Sequence, residues 1–295
     1  MKFGIGLYLW TTDLTEDHYH HLGAMARLGY DGVEIPVGSG LSGGYDRIRG
    51  VLDDEGLGCT TILNLSAEQN PVSADAAVRR AGLDEIRHGI DAAHALGSEV
   101  LSGPFQPASA VFTGAGPTEE ELDRSADVLR DAAVYAEQAG VRLAAEFLNR
   151  HEGYLLNTLE QGGALARRVD HPSFGVLYDT HHAHAEEDDI AAAIRSEGRH
   201  ILHVQASENN RGSLGAGQVR WTETARALAD IGYDGWIAAE AFAADVPGLS
   251  SKAHVWRNTF TSKDQFAEGA IAFMRDTFAP PTPAATQRGP RSTGA

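Results

Sequence analysis

A strand-length apolar run followed by a stretch with apolar residues at helical spacing recurs eight times along this chain, and that beat constrains the fold more than any single motif. The run over 3–9 precedes a helical pattern over 16–28 that stops at Gly29. Residues 32–36 (GVEIP) lead to a short helix over 45–54, and 58–65 (GCTTILNL) lead to a long amphipathic helix over 74–96 ended by Gly97. The run 99–103 precedes a helix over 118–139, opened by Pro117 and a Thr-Glu-Glu-Glu cap and closed at Gly140. The second half repeats the pattern: 142–147 then 155–169, 174–179 then 188–196, 200–205 then 221–231, and 235–240 then 262–277.

Eight strands alternating with eight helices predict a closed parallel barrel, the (β/α)8 TIM barrel, as a single α/β domain over residues 1–278. The length of 295 residues, 42% of them hydrophobic, suits one such domain. An open doubly wound sheet is the alternative, but GIGLYL in the first strand lacks the third glycine and the helix start of a nucleotide loop. Residues 279–295, rich in Pro, Ala, Thr and Gly, read as a mobile C-terminal tail.

A formal net charge of −17 argues against nucleic acid and against an anionic membrane surface, and it mildly disfavours phosphorylated substrates. The single cysteine, Cys59, excludes an internal disulfide and a cysteine-built zinc site, in keeping with a reducing compartment. MKFGIGLYLW starts with strand-like residues and no apolar run approaches ~20 residues, so a cytoplasmic protein is expected.

In such a barrel chemistry gathers at the C-terminal strand ends. Those ends read Glu146 on strand five, Asp179 on strand six, Gln205 on strand seven and Glu240 on strand eight, spaced by about one ~30-residue step each. Taken singly, each carboxylate is more simply a helix cap or an ion-pair partner. Converging, three carboxylates repel unless a cation sits among them, and oxygen-rich ligation completed by one amide or imidazole suits Mn²⁺, Mg²⁺ or Co²⁺. His203, two positions before Gln205 and on the same strand face, competes for the fourth place.

Past strand six, His182 in DTHH can reach a substrate oxygen, whereas His181 and His184 read as members of a solvated loop. After strand seven, Arg211 offers a fork of donors to a sugar hydroxyl or oxyanion, with an ion pair to Glu208 as the plainer reading. Trp10, Phe105, Phe112 and Phe242 serve equally as walls for a substrate or as barrel packing.

The segments EFLNRHEGYLLNT, YDTHH, HVQASENNRG with LGAGQVRW, and GWIAAEAF resemble those of the sugar-phosphate isomerase/epimerase-like TIM barrels, especially the ketose 3-epimerases that act on D-tagatose and D-psicose (allulose). The resemblance covers about residues 3–278. It implies a divalent metal, Mn²⁺ first and Co²⁺ or Mg²⁺ otherwise, held by Glu146, Asp179, the strand-seven residue and Glu240. It implies that Glu146 and Glu240 act as acid and base on opposite faces of a ketose, and that Glu152, His182 and Arg211 hold the O1 to O3 end. Assembly into dimers or tetramers is implied as well. In the register of the epimerases their metal-binding His falls on Gln205, a departure shared with relatives similar to hydroxypyruvate isomerase.

The chemistry fits. A proton beside a ketone is too weakly acidic for a carboxylate in water, so the enediolate needs electrostatic stabilisation, and epimerisation needs one acid/base group on each face. The sequence therefore predicts metal-dependent epimerisation of a free ketose at C3. An aldose–ketose or hydroxypyruvate-type isomerase, a subunit of a C-glycoside-cleaving complex, and a sugar-binding barrel without catalysis are the alternatives.

Overall fold

The computed structural model describes residues 1–246 and 248–278; the tail expected over 279–295 lies outside them. The apolar runs become β1 (Lys2–Gly6), β2 (Gly32–Pro36), β3 (Gly58–Ile62), β4 (Val100–Gly103), β5 (Arg142–Glu146), β6 (Phe174–Asp179), β7 (Ile201–Ala206) and β8 (Trp236–Ala239). Each pairs in parallel with the next, and β8 closes onto β1, giving the expected TIM barrel in one domain. Residues facing the helices and residues facing the barrel axis are both buried, so strands such as β6 carry no exposed position.

The connecting helices are α1 (Tyr19–Leu28), α2 (Tyr45–Glu55), α3 (Ala76–Leu96), α4 (Glu119–Ala139), α5 (Leu159–Val169), α6 (Thr180–Glu186), α7 (Ile190–Glu197), α8 (Trp221–Asp230), α9 (Leu249–Lys252) and α10 (Lys263–Phe278). Their ends follow local chemistry. The Thr118 hydroxyl accepts from the Glu121 amide at 3.2 Å while the Glu121 carboxylate accepts from the Thr118 amide at 2.9 Å, the reciprocal cap that the sequence announced for α4. Where β4 ends, Gly103 adopts φ 127° and a Cβ would stand 2.3 Å from the Leu63 carbonyl, so only glycine lets the two backbones pass. None of the described helices is long and apolar enough to cross a membrane.

Three departures from the sequence reading shape the mouth. The first run ends at Gly6 rather than Leu9: Leu7–Leu9 form a tight turn, with the Trp10 and Thr11 amides donating to the Leu7 carbonyl at 2.9 Å, and Tyr8 is thereby presented at the barrel mouth. Residues read as a histidine loop form α6, because the Asp179 carboxylate accepts from the His181 amide at 2.8 Å and starts a helix there. A long segment after β8, carrying α9, precedes the last helix.

Candidate active site

Each strand delivers its last side chain to the same end. Glu146 closes β5, Asp179 closes β6 and Glu240 follows β8, its amide still bonded to the Ala206 carbonyl of β7 at 2.9 Å. All three carboxylates are buried. Pairing aligns Asp179 with Gln205, after a register irregularity at Val176/Leu177 in β6. Four predicted positions therefore share one rim.

Buried carboxylates need partners, and Arg211 is the largest. One nitrogen of its guanidinium, Nη1, donates to Asp179 Oδ2 at 2.9 Å, to Ser207 Oγ at 2.9 Å and to Glu240 Oε2. The guanidinium lies over the Phe242 ring at 4.7 Å. Burial opposes its charge, but Glu240 and Asp179 together hold it firmly protonated. The ion pair to Glu208 is not formed. Instead the Glu208 carboxylate accepts from the amides of Gly215 and Val219 at 2.9 Å and from Trp221 Nε1 at 3.0 Å, knotting the loop that carries Arg211 in a left-handed backbone, φ 56°.

That knot yields a stability expectation. Burial pushes the Glu208 carboxyl up, yet the donors from Val219, Trp221, Asn209 and Gly215 outweigh it and hold it below the usual range. A depressed folded-state value means stabilisation present above the ordinary carboxylate range and lost as pH falls through the folded value. Glu208→Gln should therefore cost about 1–3 kcal/mol in urea denaturation and speed amide exchange over residues 209–220, and unchanged exchange there would refute the knot.

His182 is 1% exposed. Its Nδ1 faces the Asn149 backbone amide at 3.0 Å and its Nε2 faces Arg211 Nη2 at 3.3 Å, groups that can only donate, so donors approach the ring from both sides. Nε2 stands 3.3 Å from Glu146 Oε1 and 3.5 Å from Asp179 Oδ2. Burial foremost keeps the imidazole below its ordinary value and hence neutral. Donor atoms of Glu146, Asp179 and His182 lie within 4.8 Å of one another, as do those of Glu152, His181 and His182. His182 thus stands between Arg211 and the carboxylates of Glu146 and Asp179.

Glu152 and His181 form the outer edge. Glu152 Oε1 accepts from Asn149 Nδ2 at 2.8 Å and lies 3.4 Å from His181 Nε2, while Oε2 is 3.9 Å from Arg211. Burial works against the Glu152 charge, but the His181 contact and the Arg211 charge hold its carboxyl below the usual range. His181 is thus part of the site wall rather than a solvated residue. Of the four aromatic candidates, Phe242 reaches the site beneath Arg211, Phe105 is fully buried, Phe112 is 51% exposed, and Trp10 stacks on His21.

The carboxylates are strongly perturbed. Burial and then the neighbouring Asp179 hold Glu146 well above the usual carboxyl range against the pull of Arg211. Glu240 is raised likewise, by burial first and by Asp179 and Glu146 besides, with Arg211 opposing. An oxygen-rich rim whose acids repel one another suits a divalent cation, and one further observation fits it: Gln205 Oε1, fully buried, has no hydrogen-bond partner among the described residues. His203 is engaged elsewhere, its Nε2 2.6 Å from Glu34 Oε2. Gln205 also reaches Glu34, through Nε2 at 2.6 Å from Oε1.

Glu34, Asn149 and Tyr8 are the residues that the sequence reading overlooked. Glu34 interrupts the apolar run GVEIP as Glu146 interrupts RLAAEF, so its signal was present. Tyr8 accepts from Asn64 Nδ2 at 2.9 Å and packs edge-on to Phe242 with centroids 6.3 Å apart, and nothing in its flanking residues marks it.

Fold and rim together define a TIM barrel with a buried acidic site at the C-terminal ends of its strands. Residues 22–276 match the Xylose isomerase-like TIM barrel family, and the chain belongs to that family. Within it the chain is ketose 3-epimerase-like: it is 30% identical to the D-psicose 3-epimerase of Ruminiclostridium cellulolyticum over 93% of this chain and 97% of that protein. It is also 30% identical to the L-ribulose 3-epimerase of a Methylomonas species, over 94% of this chain and 98% of the relative. The crystal structure of D-allulose 3-epimerase from Methylomonas in complex with D-allulose superposes with a TM-score of 0.89 at 28% identity, covering 94% of this chain and 97% of the other. These relatives are isomerase-class enzymes.

Proposed function

We propose that this protein epimerises a free ketose at C3, using Glu146 and Glu240 as the acid/base pair and a divalent cation held by Glu146, Asp179, Gln205 and Glu240. The observation that carries the reading is geometric: the buried carboxylates of Glu146, Asp179 and Glu240 stand at the ends of β5, β6 and β8, with Arg211 bridging Asp179 and Glu240. Epimerisation needs one acid/base group on each face of the sugar, and two glutamates from different strands supply the two. The cation, Mn²⁺ first, would supply electrostatic stabilisation to the enediolate oxygens.

The remaining steps belong to side chains. One glutamate removes the C3 proton and the other delivers a proton to the opposite face. His182 and the guanidinium of Arg211 hold the O1 to O3 end of the sugar, Glu152 accepts from a hydroxyl there, and Phe242 backs the arginine. The net charge of −17 favours an unphosphorylated substrate, and the free, buried Cys59 suits a reducing cytoplasm.

A panel of ketoses tests the activity. With Mn²⁺ present, D-fructose should give D-psicose, and D-tagatose or L-ribulose should give their own C3 epimers, resolved by chromatography. Aldoses as sole products would replace this reading by an aldose–ketose isomerase, and no conversion of any ketose would overturn it.

A further inference from the structure

The carboxylate of Glu34 lies inside the barrel beneath the rim, 1% exposed, and all its bonds are to buried groups from other strands. Oε2 takes His203 Nε2 at 2.6 Å, Thr60 Oγ1 at 3.1 Å and Ser102 Oγ at 3.3 Å. Oε1 takes the amide nitrogen of Gln205 at 2.6 Å. A carboxylate can only accept, so the Gln205 side chain has one orientation available: NH₂ toward Glu34, oxygen away from it. That oxygen, Oε1, is buried and has no hydrogen-bond partner among the described residues, on the residue aligned with Asp179 across β6 and β7.

We infer that Glu34 is a positioning residue for the cation site, orienting the Gln205 amide so that its oxygen faces the cation. This rests on the metal reading above and adds to it a reason why an amide serves on strand seven. An unoriented amide presents nitrogen as readily as oxygen, and nitrogen carries no free lone pair for a metal. Here the hydrogen bond to Glu34 selects the oxygen, and three donors on the other Glu34 oxygen fix the carboxylate in turn.

The arrangement can be reversed by isosteric exchange. In Glu34→Gln, the donors from His203, Thr60 and Ser102 keep the new amide oxygen on their side, so its NH₂ meets Gln205 and turns the Gln205 oxygen inward to accept. Adding Gln205→Glu restores the outward oxygen, since one carboxylate oxygen accepts from residue 34 and the other faces the cation.

Mn²⁺ affinity of the metal-free proteins, without sugar, reads this directly by calorimetric titration and by the loss of the free-ion electron paramagnetic resonance signal. E34Q should weaken the Mn²⁺ Kd about 10- to 100-fold with an unchanged melting temperature, and E34Q/Q205E should return it to within about threefold of the parent. A purely structural role for Glu34 would move the melting temperature rather than the affinity, and would give no recovery in the double variant. A parent-like Kd in E34Q, or a double variant as weak as E34Q, overturns the inference while leaving the metal reading intact. If E34Q does not fold, Q205E against E34Q/Q205E decides: at least tenfold tighter binding by the double variant supports it, and equal binding overturns it. A parent that binds no Mn²⁺ overturns the metal reading and this inference together.

Discussion

Glu240→Gln is expected to lower ketose turnover by about 10²- to 10⁴-fold while leaving the fold intact. Glutamine copies the shape of the glutamate, keeps an oxygen that can accept, and cannot take up or release a proton. The barrel should therefore tolerate it: Glu240 interacts with Arg211, but that guanidinium keeps its bonds to Asp179 and Ser207 at 2.9 Å. What is lost is the ability to move a proton. Steady-state kinetics beside a thermal melt separates the two, and a variant with parental turnover would remove Glu240 from the chemistry.

Removing divalent metal should have the second large effect. Chelation is expected to abolish turnover and lower the melting midpoint, and Mn²⁺ at about 100 times its Kd should restore about 2.7 kcal/mol, roughly 5–10 °C. The sign with pH follows from the raised values of Glu146 and Glu240. Groups raised on folding contribute stability that is complete below the ordinary carboxylate range and disappears as pH rises through the folded values. Mn²⁺ binds the deprotonated acids, so its stabilising increment should grow as pH rises from the ordinary carboxylate range through the raised values of Glu146 and Glu240. An increment that is flat or falls with pH would contradict cation binding by these carboxylates.

Much of the barrel is legible in the sequence. The eight apolar runs became eight strands in order because each is buried on both faces, and the carboxylates at 146, 179 and 240 stood out because charge is costly at such positions. Alignment of Gln205 with Asp179 followed from strand pairing. Other features depend on long-range contact. The orientation of Gln205 is decided by Glu34, on a strand 171 residues away in sequence. The position of Arg211 depends on the Glu208 knot, and the donors that flank the His182 ring come from Asn149 and Arg211, far from it in sequence. The histidines after Asp179 have the composition of a solvated loop, yet Asp179 caps a helix there while lining the site.

The most direct test of the central claim is proton exchange at C3. The Mn²⁺-loaded protein, incubated in D₂O with a ketose it converts, should place solvent deuterium at C3 of the epimer formed, read by proton and deuterium resonance, with C1 unlabelled. Deuterium confined to C1 or C2, or epimer formed with its C3 hydrogen retained, would contradict two-faced proton transfer by Glu146 and Glu240.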